Sequence, residues 1–357
     1  NDQTLKADFA ELNYRQDKLE SYVNQVLQLE AVACKDWLTN KVDRCVTGRV
    51  AQQQCVGEIQ LPLSNCGVIA LDFKGKQGIA TSIGHAPVSA LIDPAKGSVN
   101  SITEALTNIV WAPLEEGLKS VSLSANWMWP CNNPGEDARL YKAVEACADF
   151  AIALGINIPT GKDSLSMKQK YPDGDVIAPG TVIISAAGQC SDIQNVVTPP
   201  AKANGGLIYY LDFSQDEFHL GGSSFAQNLN AIGTETPTVL SASYFKTAFD
   251  ELQNLIKKGA IQSGHDIGLC SPSEDIGMTV DFSCYEEKDL VKILLYEKPA
   301  VILQSHQDLS SHFEKYGITT IKLGEVNTSG ILKINELDLN VDQLRSSWMA
   351  TPKELDK

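Results

Sequence analysis

The stretch Leu123–Met167, LSANWMWPCNNPGEDARLYKAVEACADFAIALGINIPTGKDSLSM, decides the fold. It opens with a strand-like segment and continues into a helix. The apolar residues of that helix recur at intervals of three and four: Leu140, Val144, Cys147, Ala148 and Ile152. Asn133 and Pro134 suit the start of the helix and Gly155 suits its end. The pattern predicts a strand, a helix, a short strand and then a polar loop.

The predicted polar loop is Thr160-Gly161-Lys162-Asp163-Ser164. It combines a cation, a carboxylate and two hydroxyl groups with a glycine. Lysine and backbone N–H groups bind phosphate oxygens, and an aspartate can hold Mg²⁺. A solvated turn has the same composition and is the commoner case for so short a motif. On the residues alone, both interpretations stay open.

Size and charge limit the possible functions. The 357 residues are enough for two domains, each with its own core, and a hydrophobic content of 43% is typical of a globular protein. The formal net charge of −15 argues against nucleic acid as a partner, because its phosphates require a basic surface. No apolar run reaches about 18 residues, so the sequence predicts no membrane partner.

The nine cysteines form no CxxC pair, and most of them lie within apolar runs. An odd number of scattered cysteines is typical of reduced thiols rather than of disulfides or a structural zinc site. We therefore expect a cytoplasmic protein.

Turn-forming residues divide the chain into four predicted segments. Residues 1–30 are polar and helix-prone, and we expect a lead-in helix that packs on the first domain. Residues 31–199 form the first domain, which ends at a cluster of proline and glycine residues, and residues 200–343 form the second. Residues 344–357 are expected to be a connector. The abrupt Asn-Asp start indicates a piece of a longer protein.

Three polar sites attract attention before any resemblance is considered. Glu104 and Asn108 lie four residues apart on a helix predicted near residues 99–111, on a face away from its apolar side. A solvated pair is the ordinary explanation. Lys35 precedes an apolar turn, where a lone lysine is usually a surface charge. The pair His265-Asp266 would usually belong to a turn.

The segments SANWM, PGEDARLY and GKDSLSM, in this order and spacing, resemble the large phosphoribosylformylglycinamidine synthases of purine biosynthesis. The resemblance runs from about Glu30 to the C-terminus and matches the C-terminal half of the synthetase region, without the glutaminase domain. It implies an α+β fold with a pair of aminoimidazole ribonucleotide synthetase-like (PurM-like) domains, one N-terminal and one C-terminal.

The resemblance also implies a site for ATP or ADP with Mg²⁺. The segment EALTN matches one whose glutamate and asparagine coordinate Mg²⁺, here Glu104 and Asn108, and Asp266 matches a further ligand. Asn65 stands where the family usually has an aspartate, which removes one negative charge. The matching nucleotide-binding positions are Lys35, Ser64 and Gly268.

The family reaction converts formylglycinamide ribonucleotide (FGAR), ATP, glutamine and water to the amidine, ADP, phosphate and glutamate. ATP phosphorylates the amide oxygen, and ammonia from glutamine then displaces the phosphate. The implied partners are the N-terminal half and the glutaminase domain of the same protein. The residues expected to face the catalytic site across the interface between halves are Asn126, Gly161, Lys162, Asp163 and Ser164. The fragment alone is expected to be inactive and able to homodimerise.

One departure and two alternatives accompany this interpretation. After Gly268 the family has a glycine pair and a full helix, whereas this chain continues with Leu269-Cys270-Ser271-Pro272, so a segment is deleted or omitted. One alternative is a free-standing enzyme of the same superfamily, although its glycine-rich acidic ATP segment is not found. The other is a stand-alone nucleotide-binding structural or regulatory module.

Overall fold

Two mixed β-sheets with helices packed against them make up the structure, a computed structural model that describes residues 9–41, 44, 48–266 and 276–355. The expected α+β class is confirmed. The six-stranded sheet has the order β1-β4-β5-β10-β6-β7 and the seven-stranded sheet the order β12-β14-β11-β15-β13-β16-β17. The strands are β1 (Val50–Gln52), β2 (Cys55–Val56), β3 (Leu61–Pro62), β4 (Gly67–Ala70), β5 (Gly78–His85), β6 (Val121–Met128), β7 (Asn157–Ser164), β8 (Lys168–Tyr171), β9 (Gly174–Ile177), β10 (Thr181–Cys190), β11 (Leu207–Asp212), β12 (Ser263–His265), β13 (Gly277–Val280), β14 (Ala300–Ser305), β15 (Thr320–Asn327), β16 (Ile331–Ile334) and β17 (Leu337–Asn340).

The helices lie between and around these strands. The α-helices are α1 (Leu19–Gln28), α2 (Asp36–Thr39), α3 (Pro87–Ile92), α4 (Pro94–Ile109), α5 (Glu136–Leu154), α6 (Ser224–Asn228), α7 (Ala242–Lys257), α8 (Leu290–Leu295), α9 (Ser310–Glu314), α10 (Val341–Trp348) and α11 (Ala350–Leu355). Short 3₁₀ turns cover Gln16–Lys18, Gly117–Ser120 and Ile193–Asn195. None of the helices in the described ranges is long and apolar enough to cross a membrane.

The six-stranded sheet has one covered and one open face. Burial alternates along all eight residues of β5, as expected for a strand with one face in the core. Helix α4 packs on the covered face against β5 and β10. On the open face, Ile79 is 45% exposed and Ile83 is 58% exposed. An apolar strand face left open in this way marks an interaction surface.

Helix α4 is the centre of the first domain. Its start is fixed by Asp93, whose carboxylate accepts hydrogen bonds from the backbone N–H groups of Ala95 and Lys96 at 2.8 and 3.0 Å, and Pro94 occupies the first helical position. The helix therefore begins five residues before the predicted position near residue 99. It approaches β5 closely at Gly84, where an added Cβ would lie 2.2 Å from the Ala105 nitrogen.

The stretch around α5 differs from the sequence prediction in two places. The helix begins at Glu136 and not at Pro134, because Asn133 and Gly135 form a turn first, with Gly135 at φ +81°. It ends at Gly155 (φ +75°), as predicted. The predicted loop 160–164 is wrong: these residues belong to β7, which pairs in parallel with β6. Gly161 permits that pairing, since a Cβ there would lie 2.2 Å from the Ala125 carbonyl oxygen.

The lead-in segment packs on the second domain and not on the first, so that prediction is wrong. Tyr22 of α1 contacts Phe225 with ring centroids 5.1 Å apart, and the Tyr14 hydroxyl donates to the Asp289 carboxylate at 2.7 Å. The apolar side of α1 is buried because the second domain, through Leu220, Phe225 and Val291, offers the matching apolar surface. The C-terminal residues fold back onto the same segment, with Trp348 Nε1 donating to the Val32 carbonyl at 2.8 Å.

The two domains share one core. The rings of Phe150 on α5 and Phe245 on α7 lie 6.0 Å apart, and a continuous set of buried residues runs from the first sheet to β11 and β14. Gln253 on α7 reinforces the contact: its side-chain oxygen accepts from the Leu114 N–H at 2.8 Å and its nitrogen donates to the Ala112 carbonyl at 3.0 Å. The relative position of the two domains is therefore fixed by packing and by buried hydrogen bonds.

The Gly84→Ala substitution tests the α4–β5 contact. The new Cβ would meet backbone atoms of Ser101 and Ala105 that cannot move independently, so we expect a loss of about 1 to 3 kcal/mol in the free energy of unfolding. Urea denaturation measures it. Gly48→Ala is the matched control, because a Cβ there has nothing within 4 Å. Equal stability of the two variants would contradict the close contact.

Candidate functional site

Glu104 and Asn108 leave α4 beside the part of β5 that β4 does not cover, since β4 pairs only with residues 78–81. Glu104 Oε2 accepts from the His85 backbone N–H at 2.6 Å, and Asn108 Nδ2 donates to the Ile83 carbonyl at 2.9 Å. The two side chains thus satisfy backbone groups that a neighbouring strand would otherwise bind. Asn108 is only 4% exposed, so this member of the pair is not a solvated side chain.

Asn108 keeps one strong acceptor without a protein partner. Its Oδ1 is buried and accepts no hydrogen bond in the described part of the chain. Buried polar atoms are almost always hydrogen-bonded, and an exception indicates a bound ion, water or ligand. Asn108 follows Glu104 by one helical turn on α4, and both residues line the same groove.

Asp266 reaches the same region from the second domain. Asn65 Nδ2 lies 3.3 Å from Asp266 Oδ1, although the two residues are 201 positions apart in the chain. Asp266 Oδ1 also lies 2.6 Å from His265 Nδ1, and His265 Nε2 lies 2.9 Å from the Leu63 carbonyl oxygen. These contacts hold Asp266 and Asn65 together across the domain boundary.

Two depressions meet at Glu104 and His85. A cavity of about 430 Å³ between the domains is lined by both residues together with Asp266, Glu297 and Lys298. A groove of about 740 Å³ over the open face of the first sheet is lined by both residues together with Asn65 and Asn108. Of the four residues predicted to bind metal, Asn65, Glu104 and Asn108 therefore line the groove, and Glu104 and Asp266 line the adjoining cavity.

The donor set consists of two carboxylates and two amides. No group of three or more His, Cys, Asp or Glu side chains that could hold a metal ion occurs within the described ranges. Mg²⁺ nevertheless accepts amide oxygens besides carboxylates and water, and the unpaired Asn108 oxygen beside Glu104 fits such an ion. An aspartate at position 65 would add a charge that Asn65 lacks.

The predicted nucleotide-binding residues Ser64 and Lys35 do not line the cavity or the groove. Ser64 adjoins Asn65, and its hydroxyl donates to the Cys66 carbonyl at 3.1 Å. The Lys35 amine instead donates to the Glu30 and Ala33 carbonyl oxygens at 2.5 and 2.6 Å. Two backbone carbonyl oxygens therefore hold the Lys35 amine, and Lys35 does not line the interdomain cavity. Gly268 lies outside the described residues.

Asn126 and the segment from Gly161 to Ser164 form a separate group at the edge of the first sheet. Asn126 on β6 is aligned with Lys162 on β7, and Lys162 Nζ donates to Ser164 Oγ at 2.5 Å. Asp163 and Lys162 line a shallow groove with Gly161. Asn126 Oδ1 is buried and lacks a partner among the described residues. Asn126 lies two strands from β5 and the segment Gly161–Ser164 lies three strands from it, so this group is separate from Glu104.

Three residues of the site were not predicted from sequence: His85, Ser224 and Glu297. His85 ends β5 in a Gly-His-Ala-Pro segment, and a polar residue at a strand end could have marked it. Ser224 and Glu297 meet only through the tertiary fold, with the Ser224 N–H donating to Glu297 Oε1 at 2.8 Å. No short-range pattern signals that contact.

Comparison with known proteins adds sequence and fold relationships. Residues 34–189 match the family described as the FGAR-AT PurM_N-like domain. Human phosphoribosylformylglycinamidine synthase is 36% identical over 94% of this chain, which corresponds to 27% of that protein. The probable chloroplastic/mitochondrial synthase of Arabidopsis thaliana is also 36% identical, with 94% of this chain and 25% of that protein covered.

Solved structures agree at the level of the fold. T. maritima PurL complexed with FGAR has a TM-score of 0.65 and 13% identity, covering 92% of this chain and 53% of that one. The T. maritima PurL complexed with ADP has a TM-score of 0.63 and 15% identity, covering 92% and 51%.

Fold and family match together define a PurM-like α+β module of the FGAR amidotransferase class, which confirms the predicted fold. The chain belongs to the phosphoribosylformylglycinamidine synthase family, and it spans about a quarter of the length of the relatives it matches.

The ion pair between His85 and Glu104 should make the stability of the fold depend on pH. Its hydrogen bond to Glu104 raises the pKa of His85, against the opposing effect of burial. A raised histidine pKa stabilises the fold fully below the unfolded value of about 6.5, and that contribution disappears as the pH rises through the folded value. Glu104→Gln should therefore cost more stability near pH 5.5 than near pH 9.

The difference should stay below about 1 kcal/mol, because the His85 and Glu104 side chains are 56% and 39% exposed. NMR titration measures the pKa of His85 directly, and we expect this pKa to be lower in Glu104→Gln. The exposed Glu314→Gln change is the control. A His85 pKa that is the same in both variants would rule out the pairing.

Proposed function

We propose that this chain is the C-terminal half of the synthetase region of a phosphoribosylformylglycinamidine synthase and that it carries an auxiliary Mg²⁺–nucleotide site. Homology over nearly the whole chain supports the first part. The observation that carries the second is the convergence of Glu104, Asn108, Asn65 and Asp266, from three separated points of the sequence, on adjoining cavities.

In this proposal Glu104, Asn108 and Asp266 hold Mg²⁺, and Asn65 contributes its amide oxygen. A bound Mg²⁺ would neutralise part of the charge of the nucleotide phosphates. That neutralisation is needed because carboxylates line the interdomain cavity and would otherwise repel an anion. The protein residues supply the position of the ligand and a partly enclosed surrounding.

The small number of available cationic side chains at this site favours nucleotide binding over catalytic turnover. Among the described residues that line the interdomain cavity, only His85 and Lys298 can carry a positive charge. Lys298 Nζ is already engaged, 3.4 Å from Asp212 Oδ2 and 2.8 Å from the Asp216 carbonyl oxygen. A phosphoryl group in transfer needs cationic groups directed at it. A structural or regulatory nucleotide is therefore the better fit, and it is also what a stand-alone binding module would have.

We further propose that the whole protein converts FGAR, ATP and glutamine to the amidine, in the cytoplasm. The T. maritima PurL structures complexed with FGAR and with ATP support these ligands for the family fold. The cysteines of the described residues are free thiols, which suits a reducing compartment.

The open face of the first sheet is the proposed contact with the rest of the enzyme. Ile79 and Ile83 are exposed there, and Asn126 and Lys162 project from the neighbouring strands. The relatives are about four times as long as the matched segment, so they contain chain able to cover this face. We propose that the N-terminal half does so and that Asn126 and the segment Gly161–Ser164 complete the catalytic interface. Without that half, a second copy of this chain would occupy the face.

Calorimetry with ADP and Mg²⁺ tests the nucleotide site. We expect binding that a chelator abolishes, and a loss of at least about tenfold in affinity in Glu104→Gln and in Asp266→Asn, because metal sites lose this much even for outer partners. Asn65→Asp should strengthen Mg²⁺ binding, since it restores a negative charge. Glu314→Gln serves as control. Absence of binding, or equal affinity in all variants, would refute the site.

A turnover assay tests the assignment as one half of an enzyme. With FGAR, ATP, Mg²⁺ and ammonia, this chain alone should produce no ADP above the no-enzyme rate, because His85 and Lys298, the cations among the described residues of its cavity, are both engaged by protein groups. ADP release is followed by a coupled spectrophotometric assay. Amidine formation by the isolated chain would show that the catalytic site is complete within it.

A further inference from the structure

Residues 29–35, which we call the strap, connect α1 to α2 and form part of the wall of the interdomain cavity. Ala31 and Val32 of the strap line that cavity. The other residues that line it belong to the two domains, which are joined by one packed core. The strap lies outside both sheets, and none of its residues belongs to that core. It is therefore a part of the wall that can move while the domains stay in place.

Trp348 of α10 ties the strap to the rest of the chain. Its indole Nε1 donates to the Val32 carbonyl oxygen at 2.8 Å, and its own carbonyl oxygen accepts the Cys34 N–H at 3.0 Å. Within the described ranges, every other hydrogen bond of the strap stays between residues 26 and 39. One residue near the C-terminus thus makes both of the hydrogen bonds that hold the strap in place.

The strap also has hydrogen bonds of its own, which do not depend on Trp348. The backbone N–H groups of Val32 and Ala33 both donate to the Leu29 carbonyl oxygen, at 2.9 and 2.8 Å. The Lys35 amine donates to the Ala33 carbonyl oxygen at 2.6 Å. A segment that is bonded within itself and tied to its surroundings at one residue opens as a unit.

We propose that Trp348 is a latch, which holds the strap against the interdomain cavity and whose release opens the cavity wall. Helix α10 thereby controls access to the cavity. Trp348 does not line the cavity itself, so it acts by positioning the strap and not by touching a ligand. The inference does not depend on which ligand the cavity binds.

Alkylation of Cys34 by N-ethylmaleimide measures the opening of the strap. This side chain is 1% exposed, and burial raises the pKa of its thiol to about 11, so it reacts when the strap opens. Trp348→Phe keeps an aromatic ring and removes the indole N–H. The loss of this hydrogen bond should raise the Cys34 labelling rate about fivefold or more, followed by mass spectrometry of the labelled peptide.

A thiol placed in the cavity wall tests access to the cavity itself. Thr103 lines the cavity, is 1% exposed and is close to cysteine in size. In a chain that carries Thr103→Cys, the labelling rate of the new thiol should rise together with that of Cys34 when Trp348→Phe is added.

Trp37→Phe is the matched control. Trp37 lies two residues beyond the strap, and its indole N–H is buried without a hydrogen-bond partner in the part of the chain that the structure describes. The same substitution at this position should leave the Cys34 labelling rate unchanged. Cys66 and Cys190 are buried in the shared core and should stay unlabelled in both variants, which excludes global unfolding.

Four results would overturn the inference. An unchanged Cys34 labelling rate in Trp348→Phe would mean that the indole does not hold the strap. An equal rise in Trp37→Phe would mean that the latch has no special role. Labelling of Cys66 as fast as Cys34 would mean that the chain unfolds as a whole. A rise at Cys34 without one at Thr103→Cys would mean that the strap moves without opening the cavity.

Discussion

The close approach of α4 to β5 at Gly84 is the constraint on which the site depends. The contact lets the Glu104 and Asn108 side chains reach around the strand and bind its free backbone groups at His85 and Ile83. In the proposed site, structural and metal-binding roles would then fall to the same two side chains. Because edge hydrogen bonds orient the two side chains, their remaining oxygens face a common region before any ligand arrives.

The sequence predicted the parts of the fold that depend on local pattern. The strands near Gly78–Ile83 and Thr181–Gln189, and the glycine stop at Gly155, were found within a few residues. The loop assigned to residues 160–164 was wrong because the pairing of β7 with β6 involves residues far apart in sequence. The lead-in helix was assigned to the wrong domain for a related reason: an apolar stripe does not reveal which surface it will meet.

The site residues divide in the same way, into those that a local motif predicts and those that depend on the tertiary fold. Glu104, Asn108, Asn65 and Asp266 were predicted through their motifs, and in the structure they line two adjoining depressions. Lys35 was found by the same reasoning, yet its amine bonds to the Glu30 and Ala33 carbonyl oxygens. A motif fixes which residue is present, whereas the rotamer depends on competing acceptors nearby. Glu297 had no motif at all, since the Ser224 N–H that its carboxylate accepts is 73 positions away.

The continuous core between the two domains has a consequence for ligand entry. Gln253 and the paired rings of Phe150 and Phe245 join the domains as one packed body. A cleft between such domains cannot close by hinge rotation without breaking buried hydrogen bonds. The entropic cost of ordering the walls of the cleft is therefore met during folding. An incoming ligand encounters a binding cavity that already has nearly its final shape.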